Sequence, residues 1–281
     1  QAISVAFYVI AFSEAFMPLL DYLHYNYNIP YVDKRWIGLT LLTILSVIML
    51  IKGANMGVKA LYVVVAILFS SLIMFFAGTP DEAPEGINLS RTIENNDSFF
   101  YVFTIIFPAF TGLIAGLGLS GDLRNPGKSI PTGTLWATFA GFVIYIFVAY
   151  KLIISATPDD LASDPLIMER IALWGPIIPI GLAAASLSSA LGSIMVAPRT
   201  LQALAVDKVF PVKNLNGWLA VGKKENNEPI NSGIVSIVIA YFFVAVGDID
   251  FVAKIISMFF MLTYGAICAV SLLEHFAADP A

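Results

Sequence analysis

Three small residues on one turn of an apolar stretch are the first candidates for chemistry. In GLAAASLSSALGSIMVAPR, Ala185, Ser188 and Ser189 stand at i, i+3 and i+4 and share one helix face. Two hydroxyls and a carbonyl on that face could form part of a site for a small hard cation. Gly181, Ala185, Ser188 and Gly192 would serve small-residue helix packing equally well, and the residues alone leave both readings open. A second candidate lies in FPAFTGLIAGLGLSGD, where Pro108, Gly112, Gly116 and Gly118 interrupt a hydrophobic run. Proline removes a helix donor and glycine weakens the helix further. Carbonyls freed by such a break can coordinate a cation, while the N-terminus of the second half presents N–H groups to an anion. A proline kink with close packing through Gly112 and Gly116 is the alternative. Tyr8 and Tyr264 each fall in the middle of an apolar run, so each hydroxyl needs a partner, either a neighbouring helix or a ligand. Glu14, Lys151 and Lys254 are charges within or at the end of such runs and are functional candidates on that ground. Both lysines are within snorkelling reach of the interface, and Glu14 lies near the end of its helix.

Other chemistries find no residues. Cys268 is the single cysteine, and His24 and His275 are far apart, which excludes a disulfide framework and a cysteine- or histidine-rich metal site. No nucleophile–base pair or glycine-rich phosphate loop appears at the required spacing, so neither an enzyme nor a cofactor is expected. A net charge of −5 argues against nucleic acid as a partner.

The elements that must carry these residues are membrane helices. Of 281 residues, 58% are hydrophobic and 12% charged. A soluble domain carries about 25% charged residues, so the partner of this surface is a lipid bilayer. Eight stretches approach the ~20 residues a span needs: 2–20, 36–51, 56–77, 99–121, 135–156, 173–204, 230–247 and 251–273. If the first exits outward, nine basic residues fall in inner loops against four in outer ones, a clear positive-inside bias. The sequons Asn88-Leu89-Ser90 and Asn96-Asp97-Ser98 then lie outside and are expected to be unglycosylated. No signal peptide is visible, and the chain, which begins at Gln1 inside an apolar run, reads as a segment of something longer.

The run FPAFTGLIAGLGLSGDLRNPGKSIPTGTL resembles the broken sixth helix and following loop of the cation-chloride cotransporters. ASLSSALGSIMVAPRTLQALAVDKVFP is similar to their eighth helix, and GKKENNEPINS to the loop entering their ninth. VAFYVIAFSE and IISMFFMLTYG extend the resemblance to both ends. It implies an all-α integral membrane protein with a LeuT-like inverted-repeat fold, here partial, covering helices three to ten of twelve. Residues 1–77 would then be the last three helices of the first repeat and 78–98 an external loop. Residues 99–273 would be the complete second repeat, and 274–281 a cytoplasmic end. The family's broken first helix, which supplies half of every ion site, lies outside this chain.

By the same resemblance, potassium is lined by Tyr8, Pro108 and Thr111, with one chloride beside it on first-helix backbone. The second chloride is held by the N–H groups of Gly112, Leu113 and Ile114 with the Tyr264 hydroxyl, and sodium by Ala185, Ser188 and Ser189. Keeping both the tyrosine and the second serine fits the sodium-potassium-chloride pattern. Gly118-Leu119 before Ser120 departs from the family's usual Ala-Asn. The short, cysteine-free loop between the family's helices seven and eight suggests a multi-pass protein of a bacterial or archaeal plasma membrane. The expected activity is cotransport of chloride with sodium and potassium. The alternatives are an amino-acid permease of the same superfamily and a transport-inactive membrane subunit. A homodimer is among the expected assemblies.

Overall fold

The computed structural model describes residues 1–28, 30–52, 57–79, 98–111, 123–164, 166–222 and 227–277. Within them the chain is helical throughout: α1 (Ala2–Ala15), α2 (Met17–Tyr27), α3 (Lys34–Lys52), α4 (Gly57–Ala77), α5 (Phe99–Ile106), α6 (Pro126–Ser155), α7 (Pro158–Ser163), α8 (Ile167–Ile171), α9 (Ile177–Val206), α10 (Lys213–Leu219), α11 (Ile230–Val246) and α12 (Ile249–Phe276). A 3₁₀ turn, Phe107–Phe110, extends α5. Among the described residues, four helical stretches are long and apolar enough to cross a membrane: Ala2–Tyr27, Pro126–Ser155, Ile177–Val206 and Ile249–Phe276. Tyr62–Ala77 and Ile230–Val246 are shorter apolar segments.

The first of these runs to Tyr27 rather than ending at Leu20, with a bend at Phe16 between α1 and α2. Pro18 is the cause, since it lacks the N–H that would bond the Glu14 carbonyl. The sixth expected span likewise begins later, at Ile177, because Trp174 to Pro176 form a turn that caps α9.

α1 is the centre of the bundle. Its Val5, Ala6, Val9 and Ile10 are almost fully buried against Ala190 and Ile194 of α9, Leu42 and Leu45 of α3, and Ala240 and Val244 of α11. Lipid tails are as apolar as these side chains, so the cluster gains from close packing more than from escape from solvent. Small residues permit that closeness. A Cβ on Gly38 of α3 would meet Ser13 Oγ at 3.0 Å and Val244 at 3.1 Å.

A second cluster closes the end that the charge bias assigns to the outside. Phe75, Ala156, Ile167 and Ile171 are buried together under α7 and α8. Leu173 N donates to Met74 O at 3.0 Å, and Lys151 Nζ to Gly78 O at 2.6 Å. The Lys151 ammonium thus finds a carbonyl partner inside the protein. A Cβ on Gly78 would lie 1.9 Å from the Ile171 carbonyl oxygen and 2.6 Å from Leu173 N.

Above this cluster Arg170 reaches Asp160 at 3.2 Å and Asp164 at 3.9 Å. The Thr157 hydroxyl bonds Asp160 Oδ2, and Asp160 N closes on Thr157 Oγ1 at 3.2 Å. Thr157 first, then Arg170, hold the Asp160 carboxyl below its ordinary range.

Two outcomes follow from this cap. Gly78→Ala should destabilise the protein by about 2–3 kcal/mol, the scale of an overpacked site that must move backbone. A detergent melting curve that matches the wild type would show that the cap is not seated on Gly78. For Asp160, a lowered folded-state value means the contribution is present above the ordinary carboxylate range and is lost as pH falls through the lowered value. Amide protection across 157–164 should therefore be equal at pH 7 and 5 and drop below about pH 4. In Asp160→Asn it should already be low at pH 7. Protection that is pH-independent in the wild type would disprove the role of the carboxylate.

Candidate functional site

The interrupted span starts as an ordinary helix. Ser98 caps α5 by accepting Tyr101 N, and helical bonding continues as far as Phe107 N on Phe103 O. Pro108 comes next. The Thr104 carbonyl would accept from the N–H of residue 108, and proline has none. In lipid a carbonyl left without a donor is costly. Ser257 of α12 supplies one: its hydroxyl lies 3.2 Å from Thr104 O and 2.8 Å from Ala253 O in its own helix, sharing one proton between them.

Past the proline the chain tightens into the 3₁₀ turn, and at Thr111 it becomes extended, with φ −94° and ψ 170°. The Pro108 carbonyl accepts from Thr111 N at 3.1 Å and from Thr111 Oγ1 at 2.6 Å. The two oxygens expected on potassium therefore touch one another. The Ala109 carbonyl accepts from the Tyr145 hydroxyl of α6 at 3.1 Å, with the Tyr145 ring 4.9 Å from that of Phe110. The break at Pro108 is thus present. Gly112, Leu113 and Ile114, the residues expected on chloride, lie outside the described residues, as do Gly116 and Gly118.

Tyr264 of α12 sits beside the break. Its ring meets Phe107 edge-on at 6.2 Å and Phe260 at 6.1 Å. Tyr8 projects from α1, half-buried, edge-on to Phe7 at 5.5 Å and within electrostatic reach of Tyr264. α12 packs against α1, α5 and the turn, so it gathers Tyr8, Tyr264, Pro108 and Thr111 into one region.

Ala185, Ser188 and Ser189 lie half-buried along α9, which packs most extensively on α1. Elsewhere Ser13, Ser70, Ser236 and Thr263 return their hydroxyls to the carbonyl four residues back. Among the described residues, the Ser188 and Ser189 hydroxyls make no such bond. Two hydroxyls and a carbonyl on one helix face suit a hard cation.

The charges in the spans stand elsewhere. Glu14 pairs with Lys34 Nζ at 2.7 Å, and Lys254 is exposed. Sequence reasoning did not single out Tyr145 or Ser257. Their signal was a hydroxyl at membrane depth in a helix neighbouring a proline break, which one dimension does not reveal.

Apolar helices gathered around a broken span lined with carbonyl and hydroxyl oxygens are the architecture of a membrane carrier. A sequence model of the amino acid permease family matches residues 2–275, and the chain belongs to that family. Its relatives are members of solute carrier family 12, in keeping with the cation-chloride cotransporter resemblance; they are transporters and not enzymes. Solute carrier family 12 member 1 of Mus musculus is 31% identical over 332 aligned positions, covering 100% of this chain and 30% of that protein. Member 2 of Mus musculus is 30% identical over 322 positions, covering 95% and 26%. Member 8 of Mus musculus is 38% identical over 177 positions, covering 63% and 25%. The chain therefore spans only 25% to 30% of the length of these curated relatives.

The bond at Thr104 generates an outcome of its own. Ser257→Ala should cost about 1–3 kcal/mol, the penalty of a buried acceptor left unmet, and Ser257→Thr should restore most of it. Equal melting temperatures for the wild type and Ser257→Ala would show that α12 does not supply the donor.

Proposed function

We propose that the chain is the ion-site portion of a secondary transporter that moves chloride together with sodium and potassium by alternating access. One observation carries this reading. The span breaks at Pro108 with Pro108 O and Thr111 Oγ1 side by side and with Tyr8 and Tyr264 close at hand. Carbonyl and hydroxyl oxygens suit a monovalent cation that travels with an anion. In this reading Tyr8, Pro108 and Thr111 line potassium, and Ala185, Ser188 and Ser189 line sodium. The N–H groups of Gly112, Leu113 and Ile114 take chloride with the Tyr264 hydroxyl, using the partial positive charge of a helix start. Bound cations and anions then offset one another in a low-dielectric cavity.

The inverted-repeat organisation, with residues 1–77 closing one repeat and 99–273 forming the next, is part of the same proposal. So are a homodimeric assembly and a prokaryotic plasma membrane. In a fold of that kind the site stays near the midplane while helices rock around it. An amino-acid permease is the second reading. It is favoured by the family that matches the chain, since a helix start that holds chloride can equally hold a carboxylate.

Flux into liposomes containing the full-length protein separates the two. Rubidium uptake that requires external chloride and sodium supports cotransport, whereas uptake of amino acids without chloride dependence supports the permease. Tyr8→Phe should raise the rubidium concentration for half-maximal uptake about tenfold, on the scale of a hydrogen bond to a charged group. Ser188→Ala or Ser189→Gly should weaken the sodium dependence. Unchanged concentration dependence for all three variants would overturn the ligand assignments.

A further inference from the structure

Two hydroxyls grip the broken span from opposite helices, and they do different work. Ser257 replaces the donor that Pro108 lacks, which is a matter of backbone satisfaction. Tyr145 acts beyond the proline, on the turn that carries the proposed cation ligands. We infer that Tyr145 is a positioning residue for the cation site: its hydroxyl holds the Ala109 carbonyl toward α6 and so fixes the turn that presents Pro108 and Thr111.

Ala109 lies between the two proposed ligands. Its carbonyl would ordinarily bond the N–H four residues on, but the extended Thr111 takes the chain off the helical path. In lipid such a group must find another donor or turn toward whatever polar atom is nearest. Next to it in the chain is the pair formed by Pro108 O and Thr111 Oγ1 at 2.6 Å. A free Ala109 carbonyl would compete for a cation there or draw the Thr111 hydroxyl away from Pro108. The Tyr145 hydroxyl at 3.1 Å prevents both, and its ring against Phe110 fixes the same turn from one residue further on.

Packing alone does not account for the contact. Tyr145 itself stays 43% exposed, and no residue of the most apolar stretch of α6 is fully buried. What it contributes at this level is a directed donor. The inference rests on Pro108 and Thr111 being cation ligands, and it adds a residue on a helix to which that reading assigned no role.

Tyr145→Phe removes the hydroxyl and keeps the ring. In liposomes containing the full-length protein, with protein abundance measured in each preparation, the rubidium concentration for half-maximal uptake should rise about threefold to tenfold, the range corresponding to one net hydrogen bond. Maximal uptake per molecule and the concentration dependence on sodium should stay at wild-type values. An unchanged rubidium dependence would overturn the inference and leave Tyr145 a packing residue. So would a parallel loss of rubidium and sodium dependence, which marks a general structural defect. If the wild type itself takes up no rubidium, the reading of the site fails, and the inference falls with it. Wild-type uptake with an indifferent Tyr145→Phe sinks the inference alone.

Discussion

Lipid offers no hydrogen bonds, and every main-chain polar group at membrane depth must be met from within the protein. At Pro108 the chain gives up a donor where water cannot replace it. The surrounding structure answers that loss. α12 brings Ser257 to Thr104, Thr111 folds back on Pro108, and α6 brings Tyr145 to Ala109. A region rich in oxygen atoms results, beside a core around α1 that is mainly aliphatic. The same rule that makes a broken helix costly gathers carbonyls and hydroxyls around it rather than formal charge.

Formal charge is instead kept at the ends. Glu14 and Lys34 neutralise each other near the outer end of α1 and α3, Lys151 rests on the Gly78 carbonyl, and Arg170 binds Asp160 and Asp164 on the cap. Solvent-exposed pairs of this kind contribute little to stability. Among the described residues, these pairs stand apart from Tyr8 and Tyr264. Small residues within the core around α1, Ala6, Ala190 and Ala240 with Gly38 beside them, let the neighbouring helices pack closely.

Much of this was legible in one dimension. Apolar runs marked the spans, and Pro108 in such a run marked the break, because both depend on residue type alone. Spacing also placed Ala185, Ser188 and Ser189 on one face of α9, and the extended Thr111 agrees with an interrupted helix. Boundaries were less legible. Pro18 bends the first stretch but does not end it, since a neighbouring turn resumes helical bonding at once. The partners of freed carbonyls were not legible at all. Ser257 stands 153 positions from Thr104, and Tyr145 36 from Ala109, so only folding brings donor and acceptor together. Assignment of the ions themselves came from resemblance to a family and not from spacing.

The single proton of Ser257 has a consequence for movement. It is shared between Thr104 O at 3.2 Å on the neighbouring helix and Ala253 O at 2.8 Å on its own. Should α5 draw away, the hydroxyl keeps its nearer acceptor and never becomes an unmet donor inside the membrane. Only one of the two helices has a group to satisfy after separation. The junction therefore opens at the cost of one unmet acceptor, Thr104 O, and closes again without a search for its donor.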